Sequence, residues 1–517
     1  MKYMIIFAAM KRNNCLLYIL SLMWAMLAAV QVYAQQGWTL DWEGRAYLNG
    51  GTGDCLPFWQ RTGYDGIMPN TSSALLTAGA DLKYKASNGL YFETGANLVG
   101  QAFTASPWNE RGASGFVDRL YVSGGWRMLH LDVGMKPRVR EFGDLSITGG
   151  NIVFTGNARN MPGFNAWSDW IWFEKGHWFG IRGNLAHYQT IDARYVQGTM
   201  IHNKSFAFKV ALGRKVDFEA GLDHWAQWGG VNPSLGKRPS SFKDYVRVVF
   251  GKNGGADATL SDQLNALGNH LGRQYLRLVW HPSAFSVLLQ YDMPFEDGIN
   301  LIKTNPMPDG VYTLKFSLND RKAVVTDVIY EFVHTTFQGG SIHDRPATEE
   351  EMTKKYNRYV YWQDPSHHYY GRIVEGGLDN YFNNGEYLSG WTYFGRTIGL
   401  PLILPMEPDE NGVTMGVISN RVRAHHFGIK GNAGPVPYSF KATYSSNWGR
   451  YSTPSGSIFN SRPKQLSLAL EVELSEQVTR IPLTFSVGAY GDFGKLYRNS
   501  AGLSLRVFYC GSHSLKR

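Results

Sequence analysis

The sequence predicts an all-β chain, a transmembrane antiparallel β-barrel of about eighteen strands (sixteen to twenty) with a few short periplasmic helices. Aromatic side chains make up 14% of the 517 residues, glycine contributes 58, and only 18% are charged, which favours strands and tight turns. Many runs alternate apolar and polar residues over about nine to eleven positions, the length of a tilted membrane strand. Tight turns alternate with long connections through much of the chain, as they do in barrels.

The first element is a predicted signal peptide, residues 1–34. Lys11 and Arg12 precede an apolar stretch that ends in Val32-Tyr33-Ala34, the pattern of a secretory signal cleaved after Ala34. A membrane anchor is the alternative interpretation. No later stretch approaches the ~18 apolar residues that a membrane helix needs, so the sequence argues against a helical membrane protein.

Charge and cysteine content exclude several classes of protein. Cleavage would remove three cations and no acid, so the formal charge of +9 becomes +6, too small to predict a nucleic-acid partner. Only Cys55 and Cys510 would remain after cleavage, and two cysteines are too few for a disulfide framework. If Trp38 to Leu48 is the first strand and runs outward, a bridge between these cysteines would have to cross ~30 Å of bilayer core.

The clearest strand pair is 204–225, KSFAFKVALGRKVDFEAGLDHW. Every second residue is apolar, whereas the residues between them include Lys209, Asp217, Glu219 and Asp223. In a closed barrel the apolar face meets lipid and the charged face meets a wet interior. A soluble β-rich protein is the alternative, but its strands average only about five to six residues.

The same alternation predicts the remaining strands of a barrel domain that spans residues 35–509, followed by a short tail at 510–517. These strands are 38–48, 76–84, 90–98, 115–124, 127–135, 170–174, 178–188, 242–250, 273–280, 283–291, 311–318, 323–333, 390–397, 420–429, 437–446, 465–474, 481–489 and 501–509.

The connections fit a barrel except in the middle of the chain. Tight turns near 86–89, 124–126, 175–177 and 213–215 alternate with long connections at 100–114, 137–169, 189–203 and 226–241. The connections 252–271 and 334–389 are long where short ones are expected, and 281–283 is short where a loop is expected. Either a strand is misplaced or periplasmic helices occupy these gaps. Residues 261–267 and 349–356 have the best helical patterns.

Several stretches outside the strands resemble the capsule-assembly Wzi-like family of the Bacteroides group. They are LSITGGNIVFTGNARNMPGF (145–164), GLDHWAQWGG (221–230), GNHLG (268–272), FEDG (295–298), DNYFNN (379–384) and GWTYFGRTIGLPL (390–402). The resemblance extends from about residue 40 to residue 509. It implies an outer-membrane barrel that attaches or organises capsular polysaccharide as a lectin, and it implies periplasmic helices. The tail after Tyr509 departs from the usual aromatic end of such a chain.

Candidate glycan ligands lie in or beside the predicted outer loops. Trp and Tyr provide an apolar face for sugar rings, and Arg provides a planar fork for acidic sugars. Interface belts use the same aromatic residues without any ligand. The candidates are Trp108, Asn157, Arg159, Asn165, Trp167, Asp169, Trp225 and Trp228.

The sequence shows no sign of catalysis, and we expect no metal and no cofactor. Glu296 and Asp297 are adjacent carboxylates, but neighbours in a strand point to opposite faces, which does not suit the two carboxylates of a glycosidase. The pairs His367-His368 and His425-His426 lack metal-site spacing. No nucleophile elbow, P-loop or dinucleotide-binding motif is present.

We therefore predict an outer-membrane barrel that binds and organises capsular or other surface polysaccharide at the cell exterior without catalysing a reaction. A porin-like pore is the main alternative, and a glycan hydrolase is a further one. The expected partners are surface polysaccharide, outer-membrane lipid and, through the resemblance, polysaccharide export machinery. The polysaccharide, the oligomeric state and the state of the lumen are left open by the sequence.

Overall fold

The computed structural model describes residues 37–105, 111–173, 176–264, 266–296, 307–353 and 365–515. The predicted signal peptide, Trp108 and Asp297 lie outside these residues. Among the residues described, no helix is both long and apolar enough to cross a membrane.

Eighteen antiparallel strands form one closed barrel, because the last strand pairs with the first along its length. The sixth strand is in two pieces that both pair with the seventh. The strands are β1 (Trp38–Gly51), β2 (Ser73–Lys85), β3 (Leu90–Phe103), β4 (Gly112–Trp126), β5 (Leu129–Met135), β6 (Gly163–Ser168 and Ile171–Trp172), β7 (Phe179–Gln189), β8 (Met200–Ala211), β9 (Val216–Trp228), β10 (Asn269–Trp280), β11 (Phe285–Glu296), β12 (Gly310–Leu318), β13 (Asp327–His334), β14 (Val422–Ala433), β15 (Val436–Asn447), β16 (Lys464–Leu474), β17 (Thr484–Gly494) and β18 (Ser500–Leu515).

Short helices and ribbons lie in the connections between strands. The helices are α1 (Phe58–Arg61), α2 (Phe242–Val249), α3 (Leu260–Leu264), α4 (Glu349–Thr353) and α5 (Glu476–Thr479), with one 3₁₀ turn at Ile458–Ser461. The two-stranded ribbons join Val231–Asn232 to Gly236–Lys237, His343–Pro346 to Arg372–Gly376, Thr392–Tyr393 to Arg396–Thr397, and Leu404–Pro405 to Val417–Ser419. Among the described helices only α5, between β16 and β17, lies at the end of the barrel that carries the tight turns, where periplasmic turns are expected. The other four lie in long connections at the opposite end.

The irregular middle of the chain has a simple explanation, because two predicted strands are not barrel strands. Residues 242–250 form helix α2, and residues 390–397 belong to a short ribbon inside a loop. Without them, shorter and longer connections alternate from β1 to β17; the last connection, 495–499, has only five residues although it lies at the end with the long loops. We call the end with the tight turns, such as 86–89, the short-turn end, and the other the long-loop end.

Two further corrections concern strand ends. The connection predicted at 137–169 is shorter than expected, because Gly163–Ser168 already belongs to β6. Strand β18 continues to Leu515 along β1, so residues 510–515 are strand and not tail. Cys55 and Cys510 are both unpaired.

The two faces of the barrel differ as the alternation predicts. The side chains of Lys209, Glu219 and Asp223 point inward and form ion pairs there, for example Lys209 with Glu219 at 3.7 Å. Outward positions carry leucines that no protein group covers, such as Leu76, which is 67% exposed. Such a surface is stable where hydrocarbon replaces water around it.

Aromatic residues concentrate at both ends of the outward face. At the short-turn end Trp38 packs on Tyr84 with ring centres 5.0 Å apart, and Trp280 packs on Phe285 at 5.1 Å. Nearer the long-loop end Tyr291 stacks on the neighbouring strand's Tyr312 at 4.4 Å. Two such girdles mark the interfaces between membrane and water in a transmembrane barrel.

Candidate functional site

The half of the lumen at the long-loop end is filled by two long connections. Residues 145–161 and 379–403, which we call the plug, fold into the barrel and pack against inward-facing strand residues. Their buried members include Ile152, Val153, Tyr381, Trp391 and Leu400. Trp391 joins the two segments, because its Nε1 donates to the carbonyl of Val153 at 2.7 Å. The largest apolar core of the molecule is therefore inside the barrel.

Buried carboxylates of the barrel wall hold the plug in place. Glu331 on β13 accepts hydrogen bonds from the Ile147 amide at 2.7 Å and from the hydroxyls of Ser146 and Thr148 at 2.7 and 3.0 Å. On β11, Asp292 accepts from the Ile152 amide at 2.9 Å. A carboxylate that accepts several donors compensates for the cost of its burial.

The other half of the lumen contains two cavities of about 350 and 450 Å³. Both are lined by Asp65, Arg140 and Gly149, so they lie on either side of the connection between β5 and β6. Their walls carry ion pairs, such as Glu141 with Arg182 at 2.8 Å. Burial favours the neutral form of Glu141, but the guanidinium groups of Arg277 and Arg182 outweigh it and lower the pKa to about 2. The wet interior is therefore densely charged.

Asn157 and Arg159 are parts of the plug. The Asn157 amide donates to the carbonyl and the hydroxyl of Thr397 at 3.0 and 3.1 Å, which joins the two plug segments. The Arg159 guanidinium lies 3.6 Å from the centre of the Phe116 ring and 4.5 Å from that of Phe394. Both residues make protein contacts and also line a cavity, Arg159 the smaller one and Asn157 the larger one.

Trp225 and Trp228 lie on opposite faces of β9. Trp225 points inward, is fully buried, and stacks on Phe154 of the plug with ring centres 4.9 Å apart. Trp228 points outward and is covered by helix α2, where it packs on Tyr245 at 5.5 Å. Neither ring is open to a ligand from solution in this conformation.

Trp167 and Asp169 lie near the short-turn end and not in an outer loop as predicted. Trp167 belongs to β6, where its Nε1 donates to Asp132 at 2.7 Å and its ring stacks on His130. Asp169 follows that strand, and its carboxylate lies 2.9 Å from the Nε2 atom of His130. Asn165, two residues before Trp167 on the same strand, accepts from the Asn184 amide. The structure does not bring these residues together with Trp225.

The other chemical candidates also have structural roles. The Glu296 carboxylate accepts from the Phe382 amide of the plug. His425 points outward to the Tyr330 hydroxyl at 2.8 Å, whereas His426 points inward to the Leu145 carbonyl at 2.8 Å. No cluster of three or more potential metal ligands occurs among the residues with described positions.

The structure reveals an arginine–aromatic surface at the long-loop end that the sequence analysis missed. Arg421 stacks on the Tyr451 ring with its Cζ atom 3.8 Å from the ring centre, and Arg423 and Arg462 flank Trp448 at 5.4 and 5.8 Å. We define the surface by these five residues. It lies at the end of the pairing between β14 and β15, whose outermost pair is Val422 with Asn447.

The cations of this surface have no anionic partners within the described part of the chain. Arg421 and Arg423 donate through Nε to Thr336, to its carbonyl at 3.1 Å and its hydroxyl at 3.2 Å. No described carboxylate lies within 4.0 Å of these two guanidinium groups or of Arg462. A stacked guanidinium with free N–H groups can bind a sugar carboxylate or sulfate, while the aromatic face binds a sugar ring.

A signal for this surface was present in the sequence. Residues 447–464, NWGRYSTPSGSIFNSRPK, contain three aromatic residues, two arginines and no acid. They begin where a strand was predicted to end. A cationic, aromatic and acid-free loop at a strand end is a better indicator of an anion site than a tryptophan alone.

Comparisons with known proteins agree on the fold. No protein-family model and no curated protein sequence matches the chain. Wzi of Escherichia coli, an outer-membrane protein described as a carbohydrate-binding β-barrel involved in group 1 capsule assembly, aligns with a TM-score of 0.51 at 11% identity over 95% of this chain and 88% of its own. At that identity the likeness shows the fold alone.

Outer-membrane proteins of two other bacteria align less well. Acinetobacter baumannii OccAB4 gives a TM-score of 0.45 at 8% identity over 93% of this chain and 99% of its own. OprD of Pseudomonas aeruginosa gives 0.43 at 9% identity over 93% and 94%.

Proposed function

We propose that this chain is an outer-membrane barrel of the Wzi-like capsule-assembly kind, which binds an acidic surface polysaccharide at its long-loop end and catalyses no reaction. Short turns of bacterial outer-membrane barrels face the periplasm and long loops face the exterior. The proposed orientation therefore places the arginine–aromatic surface outside the cell. The fold shared with a carbohydrate-binding barrel and the sequence motifs support this proposal.

The observation that carries the proposal is the set of three arginines without carboxylate partners beside Trp448 and Tyr451. Most other arginines in the described lumen are paired, for example Arg273 with Asp292 at 3.1 Å and Arg506 with Glu471 at 2.8 Å. An exterior group of unpaired cations attracts a polyanion. The stacked rings add contact area that suits a sugar chain.

The filled lumen supports binding rather than transport. Trp225, Trp391 and Leu400 belong to an apolar core inside the barrel. A water-filled pore needs a polar path through the same space. Transport is the second candidate, because the short-turn half of the lumen is wet and charged, and it predicts ion conductance in planar bilayers.

A cell-based experiment tests the proposal. In a strain lacking the gene, we expect polysaccharide to move from the cell-bound to the shed fraction, and the wild-type gene to restore retention. A triple variant, Arg421→Gln/Arg423→Gln/Arg462→Gln, should reach the membrane at normal levels and fail to restore retention. Unchanged retention in the deletion strain would remove the role in capsule attachment.

A further inference from the structure

Helix α2 lies on the outside of the barrel and not over its mouth. Ser241 caps it, since its hydroxyl accepts from the Asp244 amide and the Asp244 side chain accepts from the Ser241 amide. Val248 packs with Ala226 and Trp228, which point outward from β9. The helix is thus fixed against the outer face of the barrel. Toward the short-turn end, the same face becomes the apolar, lipid-facing band.

The inner side of α2 covers polar residues that would otherwise face lipid. The Tyr245 ring contacts His187 and His202 with ring centres 5.4 and 5.5 Å apart. The Lys204 ammonium group donates to the Val249 carbonyl at the end of the helix. Because uncovered polar groups are costly in hydrocarbon, this cover extends the membrane-compatible surface of β7 to β10.

The end of α2 reaches the edge of the apolar band. Every second side chain of a strand points to the same face of the sheet. The next outward-facing residues of β8 after Lys204 are therefore Phe206 and Phe208. Phe206 is exposed and has no protein cover. The contact between Lys204 and Val249 therefore places the last turn of α2 at the level where lipid-facing residues begin.

The outer side of α2 is apolar and has no protein contact that would bury it. Phe242 is 80% exposed and Phe250 is 69% exposed, and Val246 lies between them. With 3.6 residues per turn, these three residues lie on one side of the helix. The exposed lysines Lys243 and Lys252 flank this side, and the Lys252 ammonium group lies 6.0 Å from the Phe250 ring centre.

We propose that α2 is a lipid-binding element in the outer leaflet, in which Phe242, Val246 and Phe250 enter the acyl-chain boundary while Lys243 and Lys252 bind phosphates of anionic lipid. An apolar stripe with flanking lysines is the composition of a helix that lies in a membrane interface. The continuity of this stripe with the lipid-facing band favours lipid over a protein partner. The inference requires the barrel to span a membrane, but it does not require polysaccharide binding.

Spin-label accessibility tests the depth of the helix. Full-length protein in a Cys55→Ser/Cys510→Ser background is labelled at Val246→Cys and reconstituted in liposomes of phosphatidylcholine and phosphatidylglycerol. Leu76→Cys provides a lipid-facing reference. Val139→Cys provides a water-exposed reference, since Val139 is 90% exposed and lines a cavity in the lumen. We expect the Val246 label to favour oxygen over a nickel chelate, as the Leu76 label does. A nickel accessibility equal to that at Val139 would overturn the proposal.

The lysines are tested by varying lipid charge. We expect the Val246 label to move deeper as the phosphatidylglycerol fraction increases, and this dependence to disappear in Lys243→Gln/Lys252→Gln. Lys322→Gln, an exposed lysine in a tight turn at the opposite end, should leave it unchanged. A charge dependence that persists in the double variant, or is absent from the parent, would refute phosphate binding by these lysines. Slower migration of boiled than of unboiled samples verifies that each variant is folded.

Discussion

Trp225 illustrates why a residue type alone does not identify a ligand site. A tryptophan at a strand end can stack on a sugar, line a membrane interface or fill a core. In this chain Trp225 contacts Phe154, Trp391 and the Arg138 guanidinium, 4.7 Å from the ring centre. The sequence could place it at the end of a strand, but only the path of the plug decides which surface it meets.

Truncation of Trp225 should therefore destabilise the plug. We expect Trp225→Ala to lower the free energy of unfolding by about 3 to 5 kcal/mol, the usual cost of removing a large buried side chain. The measurement is denaturant unfolding in detergent micelles, followed by gel migration. Trp178→Ala is the matched control, because that ring is half exposed in a tight turn, and it should cost much less. Equal losses for the two variants would contradict a plug-packing role.

Substitutions in the arginine–aromatic surface should lower the affinity of the protein for acidic polysaccharide. We expect Arg421→Gln and Arg462→Gln each to weaken binding of purified acidic polysaccharide several-fold, since an exposed cation–π or ionic contact contributes about 0.5 to 1 kcal/mol. Arg498→Gln is the matched control, because Arg498 lies in another long-loop-end connection but pairs with Asp54 at 3.5 Å. If Arg498→Gln weakens binding as much as the other two changes, general charge and not this surface explains the binding.

At the scale of elements, strand alternation predicted the barrel strands well. It failed at residues 242–250, which were predicted as a strand and contain helix α2. Residues 242–250 are rich in valine and phenylalanine, which favours a strand. The local signal for a helix was Ser241 followed by Asp244, a pair that forms a capping box. Removing this segment and 390–397 from the predicted strands leaves the eighteen that the structure contains.

The plug could not be predicted from periodicity, because its contacts join distant parts of the chain. Residues 152–154 are Ile-Val-Phe in a segment without a strand or helix pattern. Three apolar residues in such a segment indicate burial, but they do not indicate which residues they pack against. The motifs that resemble the Wzi-like family fall largely on this plug and on the strand ends that it contacts, such as Trp225 and Leu271. They therefore carry information about a filled barrel more than about a sugar site.

Loss of the Glu331 contacts should open the lumen. Glu331→Ala leaves the buried donors of Ser146, Ile147 and Thr148 without their acceptor, at a cost of about 3 to 5 kcal/mol in the stability of the plug. We expect frequent conductance steps for this variant in planar bilayers and few for the wild type.

A second lumen carboxylate provides the control for that experiment. Asp217 faces the lumen near the short-turn end, where it lies 3.4 Å from His281 and contacts no plug residue among those described. Asp217→Ala should conduct as little as the wild type. Large steady conductance in the wild type would contradict a closed lumen and favour transport.

At the scale of the whole molecule, the chain exposes apolar side chains outward and buries a charged lumen around an apolar plug. This is the reverse of a water-soluble fold, and it is stable only where hydrocarbon surrounds the barrel. We expect the protein to require detergent, and unboiled samples to migrate faster on a denaturing gel than boiled ones because the closed barrel persists. A monodisperse protein that is soluble without detergent would contradict this assignment.

The proposed binding of an acidic surface polysaccharide at the long-loop end can be measured with purified components. Its most direct test is the binding of capsular polysaccharide, purified from the source cells, to the wild-type protein in lipid nanodiscs, with empty nanodiscs as the blank. We predict saturable binding that weakens as salt increases and that is lost in Arg421→Gln/Arg423→Gln/Arg462→Gln. Absence of binding by the wild type, or equal binding by the triple variant, would contradict it.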